Sequence, residues 1–79
     1  MMDALENLFE QMIAQQRVKV LAVARSIAPR STADDILSPQ DFPELAEDPR
    51  FNYEEGLLAG LLSAQMAVRA EIRRRDSAS

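Results

Sequence analysis

Cysteine, histidine and tryptophan are missing from this chain altogether, and glycine occurs only twice. Without cysteine no disulfide and no thiolate metal site can form, and without histidine the commonest general base and metal ligand is gone. Long uncharged runs are missing too. The run from Gly56 to Val68, bounded by Glu55 and Arg69, covers 13 residues, short of the roughly 20 that span a bilayer as a helix. No membrane role is expected. Aromatic residues are also few. With four of them against a hydrophobic content of 47%, the apolar surface is carried by Leu, Ala, Val, Ile and Met, a composition suited to helix packing. The expected class is all-α.

A chain of 79 residues makes one domain with a small core, in the size range where folded chains lean on a disulfide, a metal or oligomerisation. Oligomerisation is the option that remains.

The net charge of −4 conceals an uneven distribution: residues 1–30 carry four cations and three anions, residues 31–55 one cation and eight anions, and residues 56–79 four cations and two anions. Such a balance argues against non-specific nucleic-acid binding, which depends on Lys and Arg neutralising phosphates. Arg73, Arg74 and Arg75 form the one basic run, placed where arginines complement the negative end of a helix. Asp3, Glu6 and Glu10 stand where a secretory signal would be positively charged, so a cytoplasmic location is expected.

Taken in order, residues 2–28 contain no proline or glycine and predict one long helix, with Asp3, Glu6 and Glu10 at its positive end. Leu5, Leu8, Phe9, Met12, Ile13, Gln16, Val20, Val23 and Ile27 share one face, and a weaker patch of Ala14, Val18, Leu21 and Ala22 lies on much of the opposite side. Pro29 stops the helix. The connector, 29–52, is punctuated by capping signals at Ser31/Thr32, Ser38-Pro39 and Asp41-Phe42-Pro43-Glu44, which predict two short helical turns. Asn52 followed by Glu55 resembles a capping box and places the second helix over about 53–75, with a tail at 76–79. This helix has a leucine side (Leu57, Leu58, Leu61, Val68, Ile72) and a smooth side (Gly56, Gly60, Ser63, Ala67, Ala70).

Three sets of residues stand out. Gly56 and Gly60 each cost a helix about 1 kcal/mol relative to alanine, so they imply either a close contact with another backbone or space for a folded-back aromatic. Gln16 and Gln65 fall within the two apolar faces, where they either bond to each other, fixing register, or reach water at the edge. The acidic middle lacks the spacing of a calcium loop or a di-metal helix pair, so no metal, cofactor or catalytic residue is assigned. Asp41, Phe42, Glu44, Leu45, Glu47, Asp48, Phe51 and Tyr53 are instead the candidate docking set for a protein with a basic or apolar surface. The competing expectation is that these aromatics pin the connector to the helices.

A lone two-helix hairpin has little interior, so the predicted architecture is a homodimer in which two hairpins form a four-helix bundle. Leu5, Phe9, Met12, Val20, Val23, Ile27, Leu57, Leu61, Val68 and Ile72 are its expected core and interface. The connector is long enough for either antiparallel or crossover pairing. The function expected from these features is a small non-enzymatic interaction module acting as a homodimer. The alternative is a nucleic-acid-associated regulator whose dimer displays Arg69, Arg73, Arg74 and Arg75 in pairs.

Overall fold

In the computed structural model the backbone is described for residues 2–78 and the side chains for residues 4–77, which leaves the side chain of Asp3 and the end of the expected tail, Ser79, outside. Helix α1 spans Met2–Ile27 and the chain then passes through two 3-10 turns, Asp35–Leu37 and Pro39–Asp41. A single helical turn follows, α2 (Pro43–Ala46), and the long helix α3 (Pro49–Ala78) ends the described chain. No strand occurs among the described residues.

Each boundary has a local cause. Pro29 ends α1, and the orphaned carbonyl of Ala28 accepts both the Ser31 N–H at 2.9 Å and the Ser31 hydroxyl at 2.7 Å. Arg25 Nε donates to the Ser31 carbonyl at 3.0 Å, so the buried turn leaves its polar groups satisfied. Thr32 and Asp35 form a reciprocal box: the Thr32 N–H donates to Asp35 Oδ2 at 2.9 Å and the Asp35 N–H to Thr32 Oγ1 at 3.3 Å. The connector holds three short turns rather than two, because Pro39 and Pro43 each start one of their own.

Helix α3 begins at Pro49, four residues ahead of the expected Tyr53. Asp48 is its cap: its Oδ1 accepts the N–H groups of Arg50 at 2.9 Å and Phe51 at 3.0 Å, and Pro49 fills the first helical position, where a missing N–H costs nothing. Asn52, the cap expected from sequence, instead donates through its side chain to the Ala46 carbonyl at 3.0 Å and ties α2 to α3.

The two long helices of one chain lie antiparallel. Gln16 meets Glu54, Glu10 meets Gln65 and Glu6 meets Arg69, so positions on α3 rise as positions on α1 fall. The core is lopsided. Val20, Ala24, Ile36, Leu45 and Phe51 form one buried cluster at the connector end, with Val23, Ile27, Phe42 and Leu58 packed against it. Ala24, Leu45 and Phe51 are wholly inaccessible. Toward the other end of the hairpin, Ile13 and Gln65 are buried, while Phe9, Leu61, Val68 and Ile72 are partly covered.

The shape is correspondingly long, 50 × 19 × 19 Å, with a radius of gyration of 15.5 Å, against about 11.6 Å for a compact globule of this length. Accessible surface is 5726 Å², roughly 950 Å² more than size scaling gives for a folded chain of this mass.

The Asp48 cap makes a pH-dependent contribution. The Phe51 N–H holds the Asp48 carboxyl below its ordinary value, helped by the Arg50 N–H and the Arg50 charge against a smaller opposing effect of burial. A carboxyl depressed in the folded state stabilises above its unfolded value of about 3.9 and loses that contribution as pH falls further. Asp48→Ala should therefore lower the Tm at neutral pH, with the gap from the natural chain narrowing below about pH 4. Thermal circular dichroism across that range checks it, and a gap that stays constant with pH would refute the ionised cap.

Candidate functional site

Two sides of the hairpin differ in chemistry, and that difference follows from helical spacing. Round α1, Glu6, Glu10 and Arg17 fall on one side of the line of contact with α3, while Leu5, Leu8 and Met12 fall on the other. Round α3, Glu55, Leu62 and Arg69 fall on one side, and Leu57, Leu61 and Val68 on the other.

Cross-helix bonds fix which sides meet. Arg69 forks onto Glu6, with its Nε at 2.9 Å from Oε1 and its Nη2 at 2.8 Å from Oε2, and also reaches Glu10 at 3.4 Å. Those hydrogen bonds hold the Glu6 carboxyl below the usual carboxylate range and raise Arg69 further. The charged sides of the two helices thus lie together, and the leucine sides lie together opposite them.

The leucine side is only half covered. Leu5, Leu8, Met12 and Leu57 expose between 41% and 51% of their surface, enough that each retains much of the apolar area a core would bury. Of the expected interface set, Leu5, Met12, Leu57, Leu61 and Val68 share this side, whereas Val20 lies deep in the cluster at the connector end, with Val23 and Ile27 packed against it.

Gln16 and Gln65 do not bond to each other. Gln16 Nε2 donates to the Glu54 carbonyl at 2.8 Å and to Glu54 Oε1 at 2.9 Å, and Gln65 Nε2 donates to Glu10 Oε1 at 3.3 Å. Each buried amide crosses to a glutamate on the facing helix, which satisfies it and pins the hairpin register at two heights.

The acidic docking set is divided by the fold. Leu45 and Phe51 are core residues and Phe42 is partly covered, so these three pin the connector to the helices. Asp48 is engaged as the cap of α3. Asp41, Glu44, Glu47 and Tyr53 stand exposed. Among the described residues no three acidic, histidine or cysteine side chains converge as they would around a metal ion.

The C-terminal arginines have acids nearby. Arg74 bonds Glu71 through Nε and Nη2, and Arg75 Nε lies 3.0 Å from the same carboxylate, which depresses the Glu71 pKa. Arg69 is committed to α1, whereas Arg74 and Arg75 share the one carboxylate of Glu71 and, like Arg73, stand exposed.

Gly56 and Gly60 are exposed on the back of α3, and a methyl group added at either would meet nothing within 4 Å. Neither close backbone approach nor a folded-back aromatic explains them within the chain.

Two clefts flank the connector end. One, about 400 Å³, lies on the charged side between α1, the first 3-10 turn and α3, with an apolar lining and Gly56 at its edge. The other, about 390 Å³, lies on the leucine side beside Val23, Pro49 and Tyr53. No helix among the described residues is long and apolar enough to cross a membrane. The chain matches no protein-family model, no curated protein and no solved structure.

Proposed function

We propose that the chain is a non-enzymatic helical interaction module that acts as a homodimer, two hairpins meeting through their leucine sides to form a four-helix bundle. The observation that carries this reading is the surplus of about 950 Å² of accessible surface over a compact chain of this size. A standard protein interface buries about 800 Å² per partner, so one dimer contact is of the right size to absorb it. The surplus has a matching surface: Leu5, Leu8, Met12 and Leu57 are all partly covered, as they would be along an open seam. The contact would be isologous, with the same leucines facing their counterparts across a two-fold axis. Lys19 at one end of this side and Glu71 and Arg75 at the other supply a polar rim.

Sedimentation equilibrium tests the proposal. At micromolar concentration the mass should be twice the 8.8 kDa of the chain, with a Tm that rises with concentration as expected when only the folded state associates. A monomer mass throughout that range, with a concentration-independent Tm, would overturn it.

A further inference from the structure

The leucine side of α3 carries a pattern that reads differently from its two ends. Arg50, Leu57, Ala64 and Glu71 recur every seven residues, so they stand in one column along that side of the helix. Turned end for end about its midpoint, between Leu57 and Ala64, the column sets Arg50 against Glu71 and Leu57 against Ala64. It is complementary to itself in charge and in size. Arg50 remains exposed although it lies 3.6 Å from Asp48, and Glu71, which accepts from Arg74 and Arg75, is half-buried.

The same midpoint is the middle of the arms. The bonds from Gln16 to Glu54 and from Gln65 to Glu10 fix which levels of the two helices meet, and between them the midpoint of the column comes level with Met12 on α1. Met12 stands seven residues from both Leu5 and Lys19. A second copy turned end for end about this level therefore brings its Leu5 to the level of Lys19, three residues beyond Gln16. The cleft of about 390 Å³ opens there, between Val23 on α1 and Pro49, Tyr53 and Glu54 on α3. Leu5 exposes 42% of its surface, so one end of the leucine side offers an apolar knob and the other a hollow. Laid tip to tip instead, two copies would set hollow against hollow and gather both Lys19 and both Arg50 side chains at one end of the contact, where like charges repel.

We propose that the occupant of the leucine side is a second copy of this chain laid end for end, with Arg50 of each copy opposite Glu71 of the other and Leu5 of each seated at the cleft beside Val23 and Tyr53 of the other. The proposal rests on the homodimer put forward above and adds its sense and register. In this arrangement α3 faces α3 and α1 faces α1, each pair antiparallel, about a two-fold axis that passes between the two Met12 residues.

Two measurements on the full chain test it. The sequence has no cysteine, so Arg73→Cys, exposed and on the charged side of α3, accepts a single nitroxide label without entering the contact. Double electron–electron resonance should then place the two labels of a dimer about 40 Å apart, at opposite ends of the bundle, whereas tip-to-tip copies would hold them within about 25 Å. The second measurement exchanges charge. Arg50→Glu and Glu71→Arg, each alone, should raise the dissociation constant of the dimer about tenfold, because each homodimer then contains two like-charged pairs. Mixed in equal amounts, the two variants should regain most of the natural affinity, since both pairs are matched in the mixed dimer.

A label separation of about 25 Å or less, or a mixture that associates no more tightly than the separate variants, would overturn the proposal. Recovery on mixing is the decisive result, because damage that each substitution does within its own chain is not repaired by the other chain. Sedimentation of the natural chain separates the two readings: a dimer with a short label separation sinks only the end-for-end arrangement, and a monomer throughout sinks the dimer and this arrangement with it.

Discussion

Replacing Phe51 by alanine should lower the Tm by about 12–40 °C, the shift that a loss of about 3–5 kcal/mol produces in a domain of this size. Phe51 is wholly buried and lies at the centre of the cluster formed with Val20, Ala24, Ile36 and Leu45. It joins the first turn of α3, the connector and α1, so its removal opens a cavity bounded by three separate parts of the chain. Those parts collapse poorly onto one another, because the α1 wall is held by helical hydrogen bonds and the α3 wall by the Asp48 cap. Total stability for a chain this short is only about 4–12 kcal/mol, so the loss is a large share of the whole. The neighbouring aromatics calibrate the result. Phe42→Ala should cost clearly less, since Phe42 only packs against the cluster, and Tyr53→Ala should change stability by no more than about 0.5 kcal/mol, since Tyr53 is 66% exposed. Chemical denaturation of the three variants makes the comparison, and a Phe51→Ala cost no larger than that of Tyr53→Ala would contradict the position of the core.

The second large effect concerns association. Met12→Glu combined with Leu57→Glu places a charge on each helix of the leucine side, and in a two-fold dimer all four charges enter the contact. Burying unpaired carboxylates costs several kcal/mol, so the dissociation constant should rise at least about a hundredfold. At a concentration where the natural chain sediments as a dimer, the variant should sediment at the 8.8 kDa of one chain. Both residues are already half exposed within the hairpin, so the helical signal should survive at low temperature. Val18→Glu with Met66→Glu is the matched control: both positions are more than two-thirds exposed, on outward faces away from the seam, and the dimer should persist. If the control dissociates and the seam variant does not, the interface lies elsewhere.

Much of the fold could be read from the residues. The proline- and glycine-free stretch before Pro29 marks α1, and the leucine periodicity marks most of α3. The start of α3 was legible in part: Asp48-Pro49 and Asn52-Glu55 are both sound beginnings, and the earlier one prevails because an aspartate with two N–H groups to accept and a proline at the first position serve the helix end better than Asn52 does. Ala24 was not legible. Its small side chain carries little periodic signal, yet it is fully buried, in the cluster that the connector packs against. Gln16 and Gln65 could be placed on apolar faces but not given partners, because a glutamate across the hairpin is identified only once the register is known. Leu45 and Phe51 were open to a docking role as well as a packing one until the connector had a path. The division into a charged side and a leucine side was implicit in the helical wheel, but which side of α1 meets which side of α3 depends on Arg69 reaching Glu6 and Glu10.

The placement of the buried cluster at one end also has a mechanical meaning. The hairpin is riveted at the connector, while toward the tips of its long arms the contact thins to the partly covered Phe9, Val68 and Ile72 and the exposed pairing of Arg69 with Glu6 and Glu10, which salt screens. Separation of the arms should begin at Glu6 and Arg69, where burial is least, and be checked at Ile13 and the buried amides Gln65 and Gln16, while the riveted end opens last. A second copy laid along the arms would clamp them over the length where the chain alone holds them least.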